Sequence, residues 1–347
     1  MEHIAIDVGG RKSYVCIRSE KGAVIDRKSV DTNTLGAFLK RRPPSRVILE
    51  TCAESFAIAD EGIAAGHDVR VIPSSKVRAL GVGHHGIKTD RRDAEMLSEV
   101  SSQVDLKGVH IPSAGARALK AKLAGREALV NSLVSLRNTC RGILRTQRVS
   151  IKASTPKSFA KKVRSTFADR GTTTPPELER ALVCIEVLDE QIQSATRELD
   201  GLSQQTPTCK RLRTAPGVGP IVSLSYFATL DDIRRFPGAH AVESYLGLVP
   251  GEDSSSDRVR RTGITKAGQE RMRRLLVQAA WQAFIRHPKD PMVVWAAKVM
   301  ASRGKTKGIV ALARKLAGIL YAMWRDDCDY DPAQGAAALP QEASLNS

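Results

Sequence analysis

Hydrophobic positions in the first 110 residues fall in short runs bounded by turn formers and charges, the pattern of strands alternating with short helices. Residues 4–8 (Ile4-Ala5-Ile6-Asp7-Val8) read as an apolar strand with an acid near its end. Residues 14–17 read as a second strand, and residues 23–30, after the Lys21-Gly22 turn, as a third. A helix is predicted over 35–41, ended by Pro43-Pro44. Residues 46–50 (Arg46-Val47-Ile48-Leu49-Glu50) form a fourth strand, again with an acid at its end. A helix over 56–65 closes at Gly66, and a fifth strand over 68–72 stops at Pro73.

Beyond Lys88 the period becomes helical. Helices are predicted over 90–102 and 114–149, then a Ser/Lys-rich break over 150–175, then a return helix over 176–202. Long antiparallel helices of this kind suggest an arm or a dimerisation element. Ala215-Pro216-Gly217-Val218-Gly219-Pro220 resembles the turn of a helix-hairpin-helix, where backbone N–H groups at a helix start receive a phosphate. A plain tight turn between helices explains it equally well. Helices over 269–285, 292–302 and 307–324 follow, and the Ala/Gln/Ser-rich stretch from Asp331 reads as disordered. The predicted domains are an α/β unit over 1–110, a helical arm over 111–205, a mostly helical C-terminal domain over 206–330 and a tail over 331–347. In the first of these, a three-stranded meander followed by helix–strand–helix–strand is the order of the ribonuclease H fold.

Composition narrows the class. Of 347 residues, 42% are hydrophobic and 26% charged, which excludes wholesale disorder. There is no apolar run of membrane-spanning length, so no membrane association is expected. The start lacks the basic and long apolar segments of a secretory signal. The six cysteines are scattered without a Cys-x-x-Cys pair, which argues against a disulfide scaffold or structural zinc and for a reduced, cytoplasmic protein. The net charge of +17 favours a polyanionic partner, nucleic acid by default. That charge is uneven: residues 1–110 carry +2 and the rest +15, with 14 basic against two acidic residues in 111–170. Within that stretch Arg137, Arg141, Arg145 and Arg148 are spaced to line one face of a helix, while Leu129, Val130, Leu133, Leu136, Ile143 and Leu144 line another. A like-charged stripe without acids favours contact with phosphates over a merely solvated face.

Two groups of residues carry candidate chemistry. Asp7 and Glu50 close apolar strands, a costly placement for a carboxylate unless it is paired or holds a cation. Adjacent strands would bring both to one sheet edge. Asp90 and Asp93 lie one helical turn apart on one face. Together the four acids have the oxygen donors for two Mg2+ ions, which at about 3.5–4 Å apart clamp the attacking and leaving oxygens of a phosphodiester. Taken singly, Asp90 also suits a helix N-cap and Asp93 an ion pair. The second group is Ser254-Ser255-Ser256 in a loop after Leu246-Gly247-Leu248-Val249-Pro250, followed by Arg258, Arg260, Arg261 and Lys266. A serine hydroxyl beside cations can attack a phosphodiester, the cations stabilising the charge that develops. Read alone, the serines also fit an ordinary polar loop.

These pieces resemble the DEDD transposases of the IS110 and IS1111 insertion sequences, which include the Piv-type invertases. The resemblance rests on Ile6-Asp7-Val8, Leu49-Glu50-Thr51, Lys88-Thr89-Asp90-Arg91-Arg92-Asp93-Ala94, Ala215-Pro216-Gly217-Val218-Gly219, Tyr245-Leu246-Gly247-Leu248-Val249-Pro250, Gly263-Ile264-Thr265-Lys266-Ala267-Gly268 and Arg273-Arg274-Leu275-Leu276. Their order and spacing hold from residue 4 to about 285. The resemblance implies a RuvC-like N-terminal domain whose acids are Asp7, Glu50, Asp90 and Asp93, a coiled-coil arm and a C-terminal transposase domain. It also implies a serine nucleophile five residues after Pro250, at Ser255, where the family usually has glycine next and this chain has Ser256. A structured guide RNA held by the arm and the RuvC-like domain, DNA donor and target, and a dimer or tetramer are likewise implied.

The expected function is therefore a mobile-element DNA recombinase that uses Mg2+ and a phosphoserine intermediate. Three other readings stay distinct from it. A RuvC-like structure-selective endonuclease would use the same acids with water as nucleophile. A sugar-kinase-like fold would use Ile6-Asp7-Val8-Gly9-Gly10 as a phosphate loop, but its second Asp-x-Gly strand and adenosine-binding Gly pair are missing. A non-catalytic RNA-binding protein would need none of the acids.

Overall fold

The computed structural model describes residues 1–79, 90–152, 155–252 and 261–333, without the side chains of residues 78, 79, 90 and 261. Ser254, Ser255, Ser256, Arg258 and Arg260 lie outside the described residues, as do the side chains of Asp90 and Arg261. The chain divides into two compact units, Met1–Pro112 and the chain from Ser113 onward. No helix among the described residues is long and apolar enough to cross a membrane.

The first unit is a mixed α/β sheet domain. Its elements are β1 (His3–Asp7), β2 (Lys12–Arg18), β3 (Val24–Asp31), α1 (Leu35–Lys40), β4 (Arg46–Glu50), α2 (Ser55–Ala64), β5 (Asp68–Ile72), α3 (Ser74–Ala79) and α4 (Asp90–Gln103). The sheet order is β3-β2-β1-β4-β5. The hairpin-linked strands pair antiparallel, while β4 lies parallel to both β1 and β5. Side chains alternate across the sheet, so one core forms on each face. Ile4, Ile6, Val47 and Leu49 pack with Leu35 and Leu39 of α1 and Ile58 of α2. Ala5, Ile48 and Ile72 pack on the opposite face with Leu97 of α4. The central β1 is buried on both faces and therefore apolar throughout its middle. The edge strand β3 alternates exposed and half-buried positions and carries Asp26, Arg27 and Lys28, charges that discourage edge pairing.

The second unit is mostly helical. It contains α5 (Ala114–Thr146), α6 (Pro156–Asp169), α7 (Pro176–Gln205), α8 (Pro207–Leu212), α9 (Pro220–Leu230), α10 (Ala239–Tyr245), the strands β6 (Pro250–Glu252) and β7 (Arg261–Ile264), then α11 (Glu270–Arg286), α12 (Pro291–Arg303) and α13 (Lys305–Arg325). Ser113 caps α5 by accepting the Ala116 N–H, and the Asp231 carboxylate in turn accepts the Ser113 N–H at 2.8 Å. The helices α5 and α7 run antiparallel. Leu119 and Leu123 near the start of α5 meet Leu199 and Leu202 near the end of α7. At the other end Cys140 and Leu144 meet Leu178, Leu182 and Ile185. The largest core gathers α8 to α13 around the fully buried Tyr226, whose hydroxyl donates to the Ala317 carbonyl at 2.8 Å.

Two sequence expectations need correction here. The Ser/Lys-rich stretch 150–175 is not simply a break, because it contains α6. Thr155 caps that helix and Pro156 occupies its first turn. Phe159, Ala160, Val163 and Phe167 then form a buried stripe closing the far end of the α5–α7 pair. Arg164 on α6 fastens it further, reaching Glu179 at 2.8 Å and Glu186 at 2.7 Å on α7. The hydrogen bond from Arg164 holds the Glu186 carboxyl below its usual range. Second, α5 stops at Thr146, so Arg148 is not on the helix. Val149 donates to the Leu144 carbonyl and Arg148 to that of Arg145, while Val149 and Leu144 share one core. This is a Schellman stop with arginine, at φ 57°, in the left-handed position that glycine usually fills.

A left-handed residue with a Cβ costs on the order of 1 kcal/mol. Arg148→Gly is therefore expected to raise stability by up to about 1 kcal/mol, read as a higher urea midpoint at unchanged m. A lower midpoint would mean that the arginine side chain stabilises the fold by more than its backbone strain costs.

Candidate active site and nucleic-acid surfaces

The acidic edge is built by strand register. Ile6 pairs with Leu49, which carries Asp7 and Glu50 to the next position on each strand. Adjacent strands lie about 4.8 Å apart. Asp7 alternates with Ala5, and Glu50 with Ile48, so both carboxylates belong to the face that α4 covers. The direction of α4 follows from its contacts. Ser101, near its C-terminal end, meets His3 at 2.9 Å, and Ser98 donates to the Cys16 sulfur at 3.2 Å on the strand beside β1. The helix thus runs antiparallel to β1. Eight helical residues back from Ser101 span about 12 Å and four strand residues on from His3 about 13 Å, so Asp93 reaches the level of Asp7. Asp93 is one turn before Leu97, on the helix side that faces the sheet.

Surrounding contacts fix this edge. The Thr51 N–H, one residue past Glu50, donates to the Ile72 carbonyl at 2.9 Å. Ser55 accepts the Cys52 N–H at 3.2 Å at the start of α2. After Asp7, Thr32 donates to the Gly9 carbonyl at 2.7 Å and meets Ser13 at 2.8 Å. Arg91 is engaged by Glu95 of its own helix at 2.9 Å, and Arg27 joins the same carboxylate at 2.8 Å. Asp7, Glu50 and Asp93 are all half-buried. The edge thus collects hard oxygen donors at the N-terminal, positive end of a helix. Among the described residues no three His, Cys, Asp or Glu side chains converge as a ready metal cage. Asp90 opens α4 one turn before Asp93.

The serine segment is not a free loop at its ends. Residues 253–260 connect β6 to β7, which pair antiparallel through Pro250 with Ile264 and Glu252 with Arg261. This pair was not predicted, because its strands are short and rich in Gly, Pro and charge. Below it two chain crossings touch backbone to backbone. A Cβ on Gly247 would lie 2.1 Å from the Ala267 carbonyl oxygen, and one on Gly268 would lie 2.1 Å from that of Tyr245. Arg273, on α11, donates to the Gly268 carbonyl at 3.1 Å and also to that of Ala267. Lys266 is exposed at this foot. Gly217, in the Ala215–Pro220 turn, likewise approaches the Ala279 backbone of α11, so close packing explains that glycine.

The four predicted arginines are split. Arg137 and Arg141 lie over the Phe159 ring, at 5.3 and 5.6 Å. Arg145 and Arg148 are exposed, the latter beyond the helix end. Exposed Lys152, Lys157, Lys161, Lys162 and Arg170 extend the cationic surface over α6. A second basic region escaped the sequence reading beyond its first three arginines, Arg271, Arg273 and Arg274: residues 271–325 hold 12 Lys and Arg and one acid, Asp290. A sliding count of charge would have found it.

Comparison with known proteins places this arrangement. Residues 4–147 match a family profile of DEDD transposases of the IS110 type, described as "Transposase". Residues 209–293 match the "Transposase IS116/IS110/IS902 family". The transposase for insertion sequence element IS1111A of Coxiella burnetii is 27% identical over 92% of this chain and 88% of its own length. The transposase for insertion sequence element IS1328 of Yersinia enterocolitica is 28% identical over 92% of this chain and 96% of its own. The chain belongs to the IS110 family of DEDD transposases.

Gly247→Ala is expected to cost roughly 1–3 kcal/mol through overpacking against Ala267 and to displace the serine hairpin. Unfolding and recombination assays would both register it. Full recombination with unchanged stability would mean that the crossing relaxes freely.

Proposed function

We propose that the chain is the recombinase of an insertion sequence, cutting and exchanging DNA strands through a serine-linked intermediate. The observation that carries this reading is the register that puts Asp7 and Glu50 on one sheet face at one edge, beneath the helix that bears Asp93. The β3-β2-β1-β4-β5 order with β2 antiparallel supports a RuvC-like domain. The α5–α7 pair supports a coiled-coil arm over 111–205, and the β6–β7 pair with the helices around it supports a transposase domain over 206–330.

The donor chemistry fits a hard divalent cation, Mg2+ in this reading, with Asp7, Glu50, Asp90 and Asp93 as its holders. Such an ion, when bound, supplies charge stabilisation to a phosphate oxygen. Ser255 is the nucleophile. Its Oγ forms the new ester bond to phosphorus as it loses its proton to solvent, and the bond to the 3′ oxygen breaks, leaving a free 3′ hydroxyl. The energy of the phosphodiester stays in the phosphoserine, so a 3′ hydroxyl can reverse the step and rejoin strands without a further cofactor. Arg258, Arg260, Arg261 and Lys266 are assigned to the phosphates beside the serine. Arg145 and Arg148, with Arg137 and Arg141 set against Phe159, are assigned to a structured guide RNA on the arm. Assembly as a dimer or tetramer completes the reading.

A second reading, a structure-selective endonuclease with water as nucleophile, rests on the same acids, which belong to the first unit and would need no serine. One experiment separates the two. Protein expressed with its native flanking DNA is trapped under denaturing conditions, as wild type, Ser255→Ala and Asp7→Ala. A covalent adduct in the wild type, lost in both variants, is expected. Nicks without an adduct, indifferent to Ser255→Ala, would leave the nuclease.

Mg2+ alone is expected to raise the Tm of the wild type. Binding to the folded state adds about 2.7 kcal/mol at a hundredfold excess over Kd. Asp7→Asn and Glu50→Gln should abolish that rise. Its persistence in both variants would remove these acids from the metal site.

A further inference from the structure

The basic region at 271–325 has a defined place in the fold. The helices α12 and α13 form a tight hairpin, in which a Cβ on Gly308 would meet the Met300 backbone at 3.0 Å. Their elbow, Arg303-Gly304-Lys305-Thr306-Lys307, is exposed at every residue. Lys298 on α12 is exposed as well. Lys305 extends over the Trp281 ring of α11, at 5.1 Å. On the outer side of α11, Arg274, Gln278 and Ile285 are exposed and share a stripe with Trp281. The result is a surface of cations around a half-buried aromatic; Arg274 also pairs with Glu127 of α5, and the sequence has no acid between Asp290 and Asp326.

We infer that the α12–α13 elbow, with the outer side of α11, is a docking surface for the phosphate backbone of duplex DNA. The occupant follows from charge and from reach. Lys305 and Lys307 lie in the first turn of α13, which holds no acid and whose start has no side-chain cap, while Arg303 ends α12. Lys305 and Lys307 therefore repel the positive end of their own helix, a conflict that an anion removes. The helix α11 starts six residues after β7 ends, at the foot of the serine hairpin. From Glu270 to Trp281 it rises about 16 Å, the length of about five base pairs. A duplex engaged at the hairpin and lying along α11 thus meets the elbow about half a turn away. The inference rests on the proposed reading only in taking the hairpin as the point where that DNA is cut.

The test uses the full-length protein and a fluorescent duplex about 30 base pairs long, with an RNA duplex of the same sequence beside it. Affinities are measured over a salt series for wild type and for the triple variant Arg303→Gln, Lys305→Gln, Lys307→Gln. Three lost phosphate contacts should lower the slope of log K against log salt by about 2–3 and weaken DNA binding about tenfold or more at low salt. RNA binding should be unchanged. Lys305→Arg with Lys307→Arg should keep wild-type DNA affinity, and circular dichroism of the triple variant should match wild type, which separates lost contacts from lost fold. An unchanged DNA slope overturns the inference, and so does a loss confined to RNA. The covalent trap on wild type keeps the two ideas apart. A normal adduct with an unchanged slope defeats only the elbow, and a reduced slope without any adduct defeats only the serine recombinase.

Discussion

The acidic edge depends on one pairing, the parallel alignment of β1 with β4 that sets Ile6 against Leu49. Side chains alternate with period two, so a slip of one residue would send Asp7 or Glu50 into the core of α1 and α2 and expose an isoleucine or leucine in its place. Burial on both faces prevents that slip. Ile4, Ile6, Val47 and Leu49 fill one core while Ala5 and Ile48 fill the other, and all six are fully buried. The same apolar packing that makes the sheet stable therefore also sets which face the carboxylates occupy. The helix α4 completes the arrangement through small polar contacts, Ser101 to His3 and Ser98 to Cys16, which fix its direction and hence the level at which its acidic start arrives.

The second unit handles its charge differently. Basic residues that face the interior are matched: Arg164 between Glu179 and Glu186, Arg271 on Glu127, Arg314 on Glu243. Arg137 and Arg141 rest on an aromatic ring. Exposed basic residues gather instead at two ends, the α6 tip and the α12–α13 elbow, where few carboxylates accompany them. Like-charge crowding at a surface opposes folding and is tolerated where a partner neutralises it.

Much of this architecture was legible from residue order. The five strands fall where short apolar runs bounded by glycine, proline and charge put them, because burial on two faces leaves little freedom in composition. The two terminal acids announced themselves as carboxylates closing apolar strands. What escaped detection was set by other physics. The helix α6 was hidden by its lysines, although Thr155-Pro156 and the spacing of Phe159, Val163 and Phe167 encode its start and its buried side. The end of α5 was hidden because arginine occupies a left-handed position that sequence rules reserve for glycine. The strands β6 and β7 are three and four residues long and hold no apolar alternation, so only tertiary pairing defines them.

The glycines beneath β6 and β7 show how so short a strand pair is placed. With few ladder hydrogen bonds, β6 and β7 cannot fix their own position alone. The crossing beneath them supplies the missing constraint on the two strands: Gly247 and Gly268 bring two backbones to contact distance, and Arg273 holds the Ala267 and Gly268 carbonyls from α11. Because α11 is itself anchored in the largest core through Met272, Leu276 and Ala279, the foot of the hairpin inherits the rigidity of that core. The same helix carries Trp281 beneath Lys305. One rigid rod therefore ties the hairpin to the basic elbow, and any DNA bound at both would be held at a spacing fixed by helical rise rather than by a loop.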